Sequence, residues 1–230
     1  MYPAKVSGYF RGLNQPVRIG PALVLALFVL PLLLFSTGGC QGASRQRVVC
    51  RHVIDGDTIV LADGRKVRYI GINAPEIPHD DEPGEPFGYK ALEANRRLVE
   101  GRAIDIEVPR DRPFDRYGRL LAHVYLKNGK LVSEILVRSG LAMTCRYSGT
   151  NKYYKRLLNA QRAAIARRAG IWGLSPRHPE RYYIGNSKSM RFHRPWCPNG
   201  KKTSRKHRII FKKRIEAFKR GYCPCRRCRP

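Results

Sequence analysis

Three short stretches of the chain hold residue types that can handle a phosphate ester. Asp55-Gly56-Asp57-Thr58 sets two carboxylates two residues apart, Arg68 follows, and Asn73-Ala74-Pro75-Glu76 comes next. Asp115-Arg116-Tyr117-Gly118-Arg119 adds a further acid and a second well-spaced arginine. Carboxylate and amide oxygens suit a hard divalent cation. A glutamate can take a proton from water. Two guanidinium forks can bind the charge that grows on equatorial phosphate oxygens. Taken singly, each stretch also reads as plain structure, since Asp-Gly-Asp makes turns and Asp-Arg-Tyr-Gly-Arg makes a solvated loop. Brought to one rim, they suit hydrolysis of a phosphodiester.

The surrounding pattern supplies elements able to bring them together. Val48, Val49, Val53 and Ile54, then Ile59-Val60-Leu61, are β-rich runs split by the Asp-Gly-Asp turn and closed by Asp63-Gly64. Val67 to Ile72 reads as a third strand, Ile104 to Val108 as a fourth and Leu120 to Leu126 as a fifth. Helical spacing links Ala91, Ala94, Leu98 and Val99 behind Pro86. A second helix begins at Leu131 with Ile135 and Leu136 and ends at Gly140, and a third runs from Leu157 through Ile165 to Gly170. Five strands with three helices predict an α+β fold, mainly β, built on a partly open Greek-key barrel of the OB type.

The order of these motifs, with Gly140-Leu141-Ala142 and Gly170-Ile171-Trp172-Gly173 after them, resembles the staphylococcal nuclease (thermonuclease) family over residues 47–173. The resemblance implies a calcium-dependent, sugar-nonspecific nuclease that cuts DNA and RNA at the 5′ P–O bond and leaves 3′-phosphate ends. It places Asp57, Asn73 and the Ala74 carbonyl at the calcium site, and Glu76 as general base. Arg68 and Arg119 become the phosphate clamp, and Tyr117 and Tyr147 line the nucleotide pocket. Asn73 departs from the family's Asp, so one negative charge is missing from the cation site. Acids between Ile77 and Lys90 correspond to a surface loop.

Composition divides the chain. It has 230 residues and a formal charge of +28, which points to polyanionic partners and away from basic ones. Residues 1–45 contain no acid, and the apolar run Ala22–Phe35 inside them carries Pro31. That run is short for a membrane span and fits an export signal or anchor. Cys40, after Gly38-Gly39, resembles the lipidation site of bacterial envelope proteins. An exported chain, secreted or held at the cell envelope and membrane, follows. The domain reading is therefore residues 1–45 as signal or anchor, 46–173 as barrel, 174–182 as linker and 183–230 as a small basic module.

In that module His193 and Cys197 are followed by Cys225-x-x-Cys228, a spacing able to hold tetrahedral zinc. It resembles the small metal-binding domain of the Ada repair protein type. A disulfide staple is the competing reading in an exported chain, with Cys223 as a spare thiol and Cys50 with Cys145 as a candidate second bridge. Its lysines and arginines should grip phosphates without regard to sequence. DNA and RNA are the expected partners, and no protein partner is inferred. Two rival classes remain: a noncatalytic nucleic-acid-binding barrel, and a charge-driven envelope-binding protein.

Overall fold

The computed structural model describes residues 45–79, 82–146, 152–176 and 178–230. The apolar run, Cys40 and Tyr147 lie outside the described residues. No helix among the described residues is long and apolar enough to cross a membrane.

Strands β1 (Arg45–Val53), β2 (Thr58–Leu61) and β3 (Lys66–Tyr69) form an antiparallel meander. Strands β5 (Ala103–Glu107) and β6 (Leu120–Tyr125) close it into a five-stranded barrel in the order β1-β2-β3-β6-β5. Alternation along each strand sends Val53, Ile59, Leu61, Val67, Tyr69, Ile104, Ile106, Ala122 and Val124 into the interior, where each is essentially fully buried. The sequence pattern runs the third strand on to Ile72. Instead the chain turns at Gly71, whose φ of 84° suits glycine, and Ile72–Asn73 becomes a separate strand, β4. β4 pairs with β7 (Met143–Thr144) outside the barrel.

Three helices cover the barrel: α1 (Gly88–Val99), α2 (Val132–Arg138) and α3 (Tyr154–Ala166). The inner face of α1 is Gly88, Ala91, Leu92, Asn95 and Val99, so Ala94 and Leu98 lie at its edge. Gly56 makes the close approach of α1 possible, since a Cβ there would fall 2.5 Å from the Ala74 Cβ and 2.7 Å from that of Ala91.

After a 3-10 turn at Gly170–Gly173, the chain builds a second sheet from β8 (Tyr183–Asn186), β9 (Arg191–His193), β10 (Arg208–Phe211) and β11 (Cys223–Pro224), in the order β10-β8-β9-β11. Short helices α4 (Pro198–Lys201) and α5 (Arg214–Lys219) complete it. This part shares a core with the barrel's last helix. Ala164, Ile165 and Trp172 pack with Tyr183, Phe192, Phe211, Ala217, Phe218 and Tyr222. Gln161, fully buried on α3, accepts from the Thr144 N–H at 2.6 Å and donates to the Phe218 carbonyl at 2.6 Å. Cys145 and Cys223 form a disulfide across the same junction. Cys50 is therefore not the partner of Cys145; it stays a buried thiol, pushed up to about 11 chiefly by burial and by the nearby Glu100.

One barrel residue makes stability pH-dependent. His123 on β6 is buried, stacks edge-on against Tyr153 with ring centroids 4.7 Å apart, and has an Nδ1 without a partner. Burial pushes its pKa down to about 4; Glu107 pulls upward and Lys152 adds to the fall. The folded group stays neutral where the unfolded one is charged. Its stabilisation is whole above the ordinary value of 6.5 and is lost as pH falls toward 4. Denaturant melts at pH 7 and 4.5 should differ by on the order of 2 kcal/mol more for the native chain than for His123→Phe.

Candidate active site and metal centre

The Asp-Gly-Asp turn folds onto itself through a side chain. Asp55 Oδ1 accepts from the Asp57 N–H at 2.8 Å, an Asx turn that aims Asp57 inward. Asn95 fixes the turn to α1: its Nδ2 donates to the Asp55 carbonyl at 3.1 Å, and its Oδ1 accepts from the Tyr69 hydroxyl at 2.9 Å. Neither Tyr69 nor Asn95 stands out by motif. The available signal was one polar residue in the middle of the apolar stripe of α1.

Asp57 is the hub. Its Oδ2 lies 2.8 Å from Arg68 Nη1 and accepts from the Ala74 N–H at 2.7 Å. Arg68 is itself buried and donates to the carbonyls of Tyr69 and Ile72 and to Asn73 Oδ1 at 3.1 Å. Asn73 Nδ2 donates to the Ala74 carbonyl at 3.1 Å. Three oxygen ligand types therefore gather within one hydrogen-bonded group: a carboxylate, an amide oxygen and a backbone carbonyl. That donor chemistry fits a hard cation. Burial pushes the Asp57 carboxyl up to about 7; Arg68 opposes this, and Asp55 and Glu76 add to it. A cation in this cluster would relieve that unfavourable crowding of acids.

Glu76 stands at the edge of the same group. The residue is exposed, yet enough protein surrounds its carboxyl that desolvation is the largest influence, holding it above the ordinary glutamate value. Asp55 and Glu85 push in the same direction, while Arg68 and Arg226 pull it down. The backbone around it is tied by Glu85, whose N–H donates to the Glu76 carbonyl at 2.8 Å. Gly88 packs against that carbonyl so closely that a Cβ would sit 2.3 Å away.

Arg119 is held separately. Asp115 Oδ2 accepts from its Nε at 2.8 Å, and Asp115 Oδ1 accepts from the backbone N–H groups of Tyr117 and Arg119. Burial raises the Asp115 carboxyl, but those donors outweigh it and leave it below the usual range. Arg68 stands opposite Leu121 in the parallel β3–β6 pairing, so alternation puts Arg119 on the same side of the sheet as Arg68. The guanidinium of Arg119 lies over the ring of Tyr117, 5.4 Å from its centroid, and Tyr117 is exposed. The structure thus brings Asp57, Arg68, Asn73, Ala74 and Glu76 into one cluster, and sets Arg119 with Tyr117 on the adjoining strand entry. Asp115, which the sequence marks only as a further acid, is the positioning residue for Arg119; an Asp opening a tight turn four residues before an Arg is the signal for that role.

A second cluster lies at the other end of the chain. The ligand atoms of His193, Cys197, Cys225 and Cys228 all lie within 4.8 Å of one another, and all four residues are buried. Cys197 Sγ is 3.7 Å from His193 Nδ1. A tetrahedral zinc with bonds of about 2.3 Å to sulfur and 2.0 Å to nitrogen has a sulfur–nitrogen edge of about 3.5 Å, so the residues fit that ion. The Arg194 N–H points to Cys228 Sγ at 3.4 Å and Asn199 Nδ2 to Cys225 Sγ at 3.9 Å, donors of the kind that steady thiolates.

Known proteins resemble both parts of the chain. Residues 66–173 match the family model described as staphylococcal nuclease homologue, and residues 171–230 match the metal binding domain of Ada. The chain is 33% identical over 141 residues to a thermonuclease of Staphylococcus hyicus, covering 60% of this chain and 82% of that protein. It is 34% identical over 125 residues to a thermonuclease of Staphylococcus intermedius, covering 53% and 73%. It is 35% identical over 132 residues to the endonuclease YncB of Bacillus subtilis, covering 56% and 62%. A barrel of this order, its acid–arginine cluster and relatives matched over most of their length make the chain a member of the staphylococcal nuclease family.

Proposed function

We propose that the chain is an exported, calcium-dependent endonuclease that hydrolyses DNA and RNA to 3′-phosphate ends. The observation that carries this reading is the Asp57–Arg68–Asn73–Ala74 cluster with Glu76 at its edge. Calcium held by Asp57, Asn73 and the Ala74 carbonyl would offset phosphate charge in the substrate. Glu76 takes the proton of the attacking water, and a carboxyl held above its ordinary value is the better base for that task. Arg68 and Arg119 donate to the equatorial oxygens as charge gathers there. Water forms the new bond to phosphorus, the bond to the 5′ oxygen breaks, and that oxygen takes its proton from solvent. Asp115 keeps Arg119 oriented for the purpose, and Tyr117 offers a ring face to a base.

Zinc at His193, Cys197, Cys225 and Cys228 belongs to the same reading, supported by the ligand geometry. Export is supported by the apolar run Ala22–Phe35 and by the Cys145–Cys223 disulfide, which persists in oxidising compartments. Lipidation at Cys40 would be read from the intact mass of the envelope fraction.

Digestion of plasmid DNA and of RNA, with calcium and with chelator, tests the function. Calcium-dependent cleavage that Glu76→Gln lowers by about 10²–10⁴ is the expected result. Binding without cleavage would favour the noncatalytic barrel. Asn73→Asp adds a charge to the cation site and removes the amide donor on the Ala74 carbonyl. The calcium midpoint of activity should fall several-fold, by roughly 3–10. An unchanged midpoint would remove Asn73 from the ligand set.

A further inference from the structure

The barrel and the cysteine-histidine part meet at the candidate active site as well as at α3. β4, which carries Asn73, pairs with β7. Cys145 directly follows β7, and its N–H donates to the Gly71 carbonyl at 2.8 Å. Cys145 is bonded to Cys223, two residues before the metal-cluster residue Cys225. A short covalent and hydrogen-bonded path thus runs from the cation site to the Cys225–Cys228 turn. On its far side, Arg229 Nη2 lies 2.9 Å from Glu82 Oε2, on the segment that follows Glu76. The turn is pinned at both ends beside the rim, and its Arg226 and Arg227 are exposed. The charge of Arg226 is felt at the Glu76 carboxyl.

We propose that Arg226 is a substrate-binding residue: its guanidinium takes a phosphate next to the scissile one, so that the metal-bearing turn forms one wall of the nuclease groove. The inference rests on the nuclease reading of the Glu76 cluster for the identity of the polymer. The turn's backbone is held by the disulfide and by two residues of the cysteine-histidine cluster, so only the side chain of Arg226 has freedom to lose when phosphate binds. The +28 chain has many cations that could hold a polyanion loosely. Arg226 differs from them in its place on a turn that the Cys145–Cys223 bridge and the Arg229–Glu82 pair tie to the segments on either side of the cation site.

The test is binding of a fluorescein-labelled ten-nucleotide oligothymidylate to the full chain in a Glu76→Gln background, with Arg226→Ala and Arg226→Lys compared across salt. Cleavage by the native chain is measured in parallel. Arg226→Ala should weaken binding about 5–10-fold at low salt and reduce the slope of log affinity against log salt by about 0.7, the share of one phosphate on a single strand. Arg226→Lys should keep the slope. Circular dichroism and zinc content should match the parent. An unchanged affinity and slope in Arg226→Ala overturns the inference whether or not the native chain cuts. A reduced slope in a chain that does not cut upholds Arg226 as a phosphate site and removes the nuclease reading instead.

Discussion

Arg68→Ala is expected to lower turnover by about 10²–10⁴ and stability by about 3–5 kcal/mol. Both losses trace to the same contacts. The side chain neutralises buried Asp57 and donates to two carbonyls and Asn73, so its removal strands an acid and three acceptors. Asp57 is already pushed up to about 7 with Arg68 in place, and without it the carboxyl moves higher. The variant should therefore fold with Asp57 protonated at neutral pH. An acid whose folded value is raised loses stability as pH climbs through that value. Urea melts without calcium should show a larger deficit at pH 9 than at pH 6. Arg68→Lys keeps the charge but cannot reach all four acceptors at once, and should recover part of the stability and little of the rate. Melts that match the native chain at both pH values would show that Arg68 serves substrate alone.

Losing the Cys145–Cys223 bridge is the second large effect. It closes a loop of 78 residues, and chain-entropy reasoning gives about 4.5 kcal/mol for a loop of that size, with about 2–4 typical. For the Cys145→Ala/Cys223→Ala chain, a drop of about 5–15 °C in melting temperature is expected. The double variant is preferable to reductant, which would also reach the four clustered ligands. The same variant should leave the zinc content unchanged, because neither cysteine belongs to that set. A melting temperature within a degree of the parent would mean that the shared apolar core alone fixes the two parts.

Much of this could be read from residue order. The alternation of Ile104–Val108 and the turn at Asp63-Gly64 mark strands of the barrel, because a half-buried strand leaves a period-two trace, while Leu120–Leu126 shows only as a short apolar run. The ligand spacing of His193, Cys197, Cys225 and Cys228 was equally plain. What stayed hidden depends on contacts between distant residues. Asn95 looks like an ordinary helix residue until it reaches Asp55 and Tyr69. Arg68 reads as a phosphate clamp, and only the fold reveals that it also braces Asp57. Cysteine spacing does not select Cys223 over Cys50 as the partner of Cys145. The break at Gly71 is invisible to periodicity, because Val67 to Ile72 is β-rich throughout.

The stretch 174–182 looks in sequence like a tether between independent bodies. Tryptophan and isoleucine from one side are seated among phenylalanines of the other, and Gln161 spans the seam. A protease that nicks this stretch should therefore yield two fragments that travel together on a sizing column, separate on a reducing gel and stay joined on a non-reducing one. Conversely, a chain stopped at Gly173 would leave Ile165 and Trp172 bare to water, so the catalytic half on its own should be prone to clumping.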